Sequence, residues 1–394
     1  MRSAIAREAV LAAGRRWEIG TLRVVLPGGR ERVFEGRVAG DQATITVCGE
    51  AAFERLLLRG EVGFGEAYVE GLWTSSDLVG LLRLAVRNRA ALGLAHGWLR
   101  LPARALDRLR HMRRRNSVAG SRANIGAHYD LGNDFYALFL DPQMTYSSAV
   151  FPSADATLEE AQQEKYARVA RLAGIGPGSR VLEIGCGWGG FALHAAAAHG
   201  CRVDAITISA AQHELATRRV AEAGLSRLVD ARLVDYREVR GTYDAIVSIE
   251  MLEAVGAEYY ETFFSTLDRA LAPGGRIALQ VITVPDRAYE PQRRGANWIQ
   301  RYIFPGGLLP SLAAIERSLV RTGLVVESVT DIGPHYVRTL AEWRERFMVQ
   351  REHVRALGYD ERFVRMWEYY LAQSEAGFAT GITQDLQIAL RRTP

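Results

Sequence analysis

The sequence predicts an α/β protein, a mostly parallel, doubly wound sheet with a smaller α+β domain ahead of it. Three observations carry this reading. Short apolar runs (181–184, 202–208, 228–233, 243–249, 276–281) alternate with helical stretches (158–172, 191–198, 210–223, 259–271), the βαβ rhythm of a parallel sheet. The run at 181–184 breaks into Gly185, Gly187, Gly189 and Gly190 before an apolar helix: a buried strand, a tight turn and a helix N-terminus. The N-terminal part reads differently, as a helix followed by two period-two runs, 17–26 and 31–47, hinged at Pro27-Gly28-Gly29.

With 394 residues, 48% of them hydrophobic, the chain suits two domains with separate cores. An accessory domain is expected over 1–115, a polar linker over 116–124 and a catalytic domain over 125–394. Within the first, 52–59 reads as a short amphipathic helix, 60–71 as a glycine-rich stretch and 76–86 as a helix. The net charge of +4 is local, because residues 84–122 hold ten arginines and one acid, Asp107. Leu94, Trp98, Leu99, Leu101, Leu106 and Leu109 are interleaved with those arginines. Such a segment either docks on an anionic membrane surface or packs on a neighbour with its arginines outward. Cys48, Cys186 and Cys201 have no metal or redox spacing, which suits a reducing cytoplasm. No signal peptide and no bilayer-spanning run is read. The expected location is the cytoplasm, peripherally on the inner face of the membrane.

Ligands of doubly wound sheets bind beyond the carboxyl ends of the strands. The chemistry is therefore expected at 183–189, Thr207, Asp235 and 249–253. Gly185 and Gly187 let the backbone turn sharply and let a ligand lie against it. A helix N-terminus favours anions, but acidic Glu183 beside the turn suits a ligand carrying positive charge. S-adenosylmethionine (SAM), with its ammonium and sulfonium, fits better than a dinucleotide. Dinucleotide sites place an acid about twenty residues past the glycines, where this chain has Thr207 and Gln212. Asp235 and Tyr236 end the third strand with a carboxylate and an aromatic edge suited to adenine. Glu250 and Glu253, three apart, are expected on one helical face, either handling a proton or sitting as acids at a helix N-terminus. The chain has no Ser/His/Asp order, no phosphate-binding Gly-Lys-Ser/Thr and no His/Cys metal spacing. It also lacks the Asn/Asp-Pro-Pro-aromatic string of enzymes that methylate base amino groups.

Several strings occur together in one order: His128-Tyr129-Asp130…Asn133-Asp134, Met144-Thr145-Tyr146-Ser147, Leu182-Glu183-Ile184-Gly185-Cys186-Gly187-Trp188-Gly189-Gly190 and Thr207-Ile208-Ser209…Gln212. Asp235-Tyr236-Arg237, Glu253-Ala254-Val255-Gly256, Tyr302-Ile303-Phe304-Pro305-Gly306-Gly307 and Tyr369-Tyr370 follow. From residue 125 to the C-terminus the chain resembles the cyclopropane fatty acid synthase family. The resemblance implies a seven-stranded, Rossmann-like class I SAM methyltransferase domain acting on cis double bonds of unsaturated acyl chains in membrane phospholipids. By the same resemblance, Tyr129, Tyr146, Ser147, Glu183, Gly185, Gly187, Gly189, Thr207, Gln212, Asp235 and Tyr236 hold SAM. Glu253, Tyr336 and the Ile282 backbone match the family's site for a bicarbonate ion, its general base.

An alkene is a weak, uncharged nucleophile that needs no base before attack, only a dry pocket pressing it against the sulfonium methyl. Attack leaves a carbocation, stabilised by aromatic faces and a nearby anion; Tyr129, Trp298, Tyr302 and Phe304 are candidates. The chain departs from the family's pattern at Ser148 (commonly Cys), Ala254 (commonly His) and Gln280, where a histidine would help hold bicarbonate. A glutamine hydrogen-bonds an anion but carries neither proton nor charge. Two versions of the base follow. Either Glu253 orients bicarbonate with Gln280 and Tyr336, or Glu253, aided by Glu250, takes the proton itself. Some relatives stop at a methylene or methyl branch. The expected partners are unsaturated phospholipid at a membrane surface, a second copy in a homodimer, and a reductase if the product is methyl-branched, with no nucleic acid. A lipid-binding protein with an idle SAM fold is the rival from another class.

Overall fold

A computed structural model describes residues 2–92, 131–293 and 295–393. In chain order the elements are α1 (Arg2–Gly14), β1 (Ile19–Val25), β2 (Glu31–Glu35), β3 (Val38–Val47), α2 (Ala51–Val69), β4 (Trp73–Thr74) and α3 (Leu78–Arg87). Next come α4 (Asn133–Ala137), α5 (Leu158–Leu172), β5 (Arg180–Ile184), α6 (Gly190–His199), β6 (Arg202–Thr207), α7 (Ala210–Glu222), β7 (Val229–Leu233) and β8 (Tyr243–Ile249). After them lie α8 (Tyr260–Ala270), β9 (Leu271–Thr283), α9 (Asp286–Arg293), α10 (Trp298–Tyr302), α11 (Leu312–Leu319) and β10 (Leu324–Asp331). The chain finishes with α12 (Gly333–Val349), α13 (Arg351–Ala356), α14 (Glu361–Ala379) and β11 (Gln384–Arg392).

Two compact units result. The first joins the described N-terminal residues to Gly295–Ile303 and Trp343–Gly381; the second holds the rest. The arginine-rich stretch beyond Leu92, the expected linker 116–124 and Tyr129 lie outside the described residues. The later segments join the first unit because their aromatic faces find partners there. Trp298 packs on Tyr369 with ring centroids 4.8 Å apart, and Tyr68 donates to Glu368 at 2.7 Å.

In the first unit a four-stranded sheet runs β2-β1-β3-β4. The sequence reading of 60–71 as separate from the helix before it is corrected here, because α2 continues to Val69 after a kink at Gly60. Its glycines serve close packing: a Cβ on Gly65 would lie 2.6 Å from the Trp298 indole. A glycine-rich helix and a glycine-rich loop look alike until the neighbour that needs the space is known.

The second unit contains a seven-stranded sheet, ordered β10-β11-β9-β8-β5-β6-β7. From β9 to β7 the pairs are parallel, and β11 inserts antiparallel between β9 and β10. Strand order reverses between β5 and β8, which is where such sheets bind ligands. Two apolar cores cover the sheet. One includes Ile246, Phe263, Leu279, Ile388 and Leu390; the other includes Val181, Phe191, Val203 and Val247. Among the described residues no helix is long and apolar enough to cross a membrane.

Ile388 is fully buried in β11, whereas Val320 is 81% exposed. Ile388→Ala is expected to cost about 2–5 kcal/mol through the cavity it leaves, and Val320→Ala to stay within about 0.5 kcal/mol. Urea unfolding of the two variants against the wild type checks both.

Candidate active site

β5 delivers Glu183 to the sheet's carboxyl edge and then turns. Gly185, Gly187 and Gly189 have φ of 81°, 52° and 84°, values that residues bearing a Cβ rarely adopt. The turn is fixed to the end of β6, because Gly185 and Cys186 both donate their N–H to Ile206 O, at 2.9 and 3.0 Å. The glycines have different local reasons. A Cβ on Gly185 would lie 2.7 Å from Met251 Cγ, while one on Gly187 would meet nothing within 4 Å. The open approach to backbone is at Gly187.

Glu183 is 3% exposed, and its Oε2 finds no hydrogen-bond partner among the described residues. Burial pushes its pKa up to about 8, against the pull of the Lys165 charge. A buried acid with one unpartnered oxygen, beside an open glycine, fits a ligand carrying positive charge, as the ammonium and sulfonium of SAM do.

The remaining residues expected around SAM are set by their own bonds. Thr207 Oγ1 donates to Gln212 Oε1 at 2.9 Å and accepts Ser209 N–H at 3.2 Å. Asp235, 1% exposed, accepts from Arg237 through N (3.0 Å), Nε (2.8 Å) and Nη2 (2.7 Å). Tyr236 packs edge-on against Phe263, with centroids 5.4 Å apart. Tyr146 packs on Tyr136 at 5.3 Å. Ser147 Oγ accepts from Lys165 Nζ at 2.7 Å, and Ser147 O accepts from Gln162 Nε2 at 3.0 Å.

Glu250 and Glu253 do not share a helical face, contrary to expectation. Glu250 takes a left-handed φ of 49°, which breaks helical periodicity, and Glu253 sits in a 3-10 turn, Leu252–Ala254. Each carboxylate therefore has its own partners. Glu250 Oε1 accepts Ser148 N–H at 2.8 Å and Gln280 Nε2 at 2.8 Å, and its Oε2 accepts Tyr336 O–H at 2.7 Å. Glu253 Oε1 accepts Ile282 N–H, while its Oε2 is shielded from solvent with no partner among the described residues. Burial, then the charge of Glu250, raise the Glu253 pKa to about 8. Glu250 is also raised by burial, opposed by its bonds to Ser148, Tyr336 and Gln280 and by the charge of Lys165.

Three participants carried no motif. Asp385 on β11 is fully buried and accepts from Gln280 Nε2 at 3.1 Å. Burial and the charges of Glu250 and Glu253 hold it well above the usual carboxylate range. Gln387 donates to Gln280 Oε1 at 3.2 Å. Lys165 is the chain's only lysine and is fully buried, with burial lowering its pKa to about 8. The available signals were polar residues interrupting the apolar run of β11 and one lysine in a chain that otherwise uses arginine. Among the described residues no cluster has the makeup of a metal site. Trp298 and Tyr302, candidates for facing the cation, are occupied within the first unit, where Tyr302 O–H bonds Glu66.

The mycolic acid cyclopropane synthetase family model matches residues 116–388. The chain is 43% identical over 358 residues to the tuberculostearic acid methyltransferase UfaA1 of Mycobacterium tuberculosis, covering 87% of this chain and 82% of that one. It is 36% identical over 355 residues to the cyclopropane-fatty-acyl-phospholipid synthase of Escherichia coli, covering 89% and 88%. Among solved structures, the mycolic acid cyclopropane synthase CmaA1 complexed with SAH and CTAB has a TM-score of 0.65 at 33% identity, covering 69% of this chain and 98% of that one. The family model takes in well over half of the chain and the relatives cover most of it, so the chain belongs to the mycolic acid cyclopropane synthetase family and is a SAM-dependent methyltransferase.

Proposed function

We propose that the protein transfers the methyl group of SAM to a cis double bond in an unsaturated acyl chain of a membrane phospholipid, and that a cyclopropane ring results. The observation that carries this is the Glu253 carboxylate, shielded, with one oxygen unbonded among the described residues and a pKa raised to about 8. A base with that pKa suits proton removal near neutral pH. An alkene needs no base to attack a methyl donor, so such a group is useful afterwards, when the added methyl must lose a proton. SAM supplies the electrophilic methyl. Glu183 faces positive charge, Gly187 admits the ligand to the backbone, and the Thr207–Gln212 and Asp235–Arg237 pairs fix the polar edge of the pocket. The names of the two relatives, one a tuberculostearic acid methyltransferase and one a cyclopropane-fatty-acyl-phospholipid synthase, support an acyl-lipid substrate.

A second reading has the cation shift a hydride and lose its proton as a methylene, which a reductase partner then turns into a methyl branch. The 43% identity to a tuberculostearic acid methyltransferase favours it. Both endings use one base. Residues 1–115 are assigned to docking and to homodimer contacts, on the cytoplasmic face of the membrane, with the arginine-rich stretch meeting anionic headgroups.

Mass spectrometry of lipids from a host expressing the protein is expected to show cyclopropane acyl chains; methylene or methyl-branched chains establish the second reading. Glu253→Gln should lose turnover by about 10²–10⁴-fold while SAM still binds by calorimetry. Glu183, with a pKa of about 8, is mostly neutral at pH 7, and a cation beside it lowers that pKa. SAM binding should therefore release a proton and tighten as pH rises from about 6 to 8. Calorimetry in buffers of different ionisation enthalpy reads this, and the effect should vanish in Glu183→Gln. Co-sedimentation with anionic vesicles should weaken with salt, and on changing Arg113, Arg114 and Arg115 together to glutamine.

A further inference from the structure

We infer that Glu250 is a built-in anion. Its carboxylate fills the cradle formed by Ser148 N–H, Gln280 Nε2 and Tyr336 O–H, so Glu253 takes the proton directly and no bicarbonate ion takes part. The inference rests on the acyl-chain reading above and concerns how that reaction ends.

The donors are already committed. Ser148 has one backbone N–H, directed to Glu250 Oε1 at 2.8 Å, and Tyr336 has one O–H, directed to Oε2 at 2.7 Å. The two amide hydrogens of Gln280 face three acceptors: Glu250 Oε1 at 2.8 Å, Asp385 Oδ2 at 3.1 Å and Ser148 O at 3.3 Å. Gln280 and Tyr336 are among the groups expected to hold bicarbonate, and a carboxylate presents the same planar pair of oxygens. Electrostatics agrees. A captured ion would add negative charge to a cluster where burial and mutual repulsion already push Glu253 and Asp385 toward their neutral forms, with Lys165 the one buried lysine to offset it. The backbone also gives way to this placement. Glu250 holds a left-handed φ of 49°, a conformation kept by a non-glycine residue only where its surroundings fix it.

The two glutamates then divide the work. Glu250, bonded by three donors, is the standing anion opposite the carbocation. Glu253, bonded through Oε1 alone, offers Oε2 as the base. A C–H bond of the added methyl breaks, and its electron pair forms the carbon–carbon bond that closes the ring and quenches the cation. The proton moves to Glu253 Oε2, leaving a carboxylic acid that returns it to solvent. No oxidant or reductant is needed. Glu250 acts through charge and placement, and is a positioning residue.

The test uses the full chain with SAM and vesicles of dioleoyl-phosphatidylglycerol, in degassed buffer with and without added bicarbonate. The decisive variant is Glu250→Gly, which removes the carboxylate at a φ that glycine adopts freely and opens the cradle to an external ion. Wild-type turnover should agree within about twofold in the two buffers. Glu250→Gly should fall by about 10²-fold or more without bicarbonate and recover at least about tenfold when it is added, with SAM affinity unchanged. Activity lost with a carboxylate and restored by an external anion is not a result of structural damage. A wild type that needs bicarbonate overturns the inference, as does a Glu250→Gly variant fully active without it. A variant that binds SAM normally and stays inactive with bicarbonate overturns it too. A wild type that methylates the vesicles in neither buffer defeats the acyl-chain reading itself and this inference with it, whereas the other failures leave that reading standing.

Discussion

A carboxylate taken out of water must be bonded or neutralised, and the Glu250 carboxylate is the place where that demand organises the catalytic unit. Its donors come from the loop at Ser148, from β9 through Gln280 and from α12 through Tyr336, and Gln280 extends the connection to Asp385 and Gln387 on β11. Four segments far apart in sequence are thereby pinned around the end of β8. Removing one partner of a buried charge costs about 3–5 kcal/mol, more than the intact arrangement contributes over an apolar one. The network therefore fixes geometry more than it adds stability.

The same burial that makes the network necessary sets its acid–base character. Glu183 and Glu253 are both lifted to about 8, and Lys165 is brought down to about 8, each chiefly by desolvation. Two carboxyls and an ammonium of ordinarily well-separated pKa thus meet near pH 8. Protons are cheap to move there, and a cationic ligand or a cation formed on a substrate shifts them. This is the electrostatic setting a reaction needs when it begins with a sulfonium and passes through a carbocation.

Around this centre, the strand ends are fixed by short-range bonds. Thr207 with Gln212 and Asp235 with Arg237 are satisfied by residues one turn away, and the glycine turn is fixed by two N–H bonds to Ile206 O. Local pairs of this kind let a parallel sheet present a rigid edge even though its loops are short. The three glycines of the turn all need left-handed φ, yet only Gly187 leaves open space beside it, so the motif combines a packing requirement with an open approach to the backbone.

Periodic and local features could be read from the residues in order. The strands from β5 to β9, the helices between them, the glycine turn and the acidic residue before it were legible because period, turn chemistry and charge reside in neighbouring residues. Matched strings then determined the family. Tertiary structure alone decided which groups share a site. The glycines past the kink at Gly60 belong to a helix, and position 65 is a glycine because Trp298, more than two hundred residues later, needs the space there. Asp385 joined the site because antiparallel β11 sets it opposite Ile282, two positions from Gln280 on β9. Gln280 and Tyr336 went to Glu250 and left Ile282 N–H to Glu253 because one backbone angle after β8 turned the two glutamates apart. A sequence carries that angle only as the difference among many long-range contacts, so it becomes readable once the sheet has assembled.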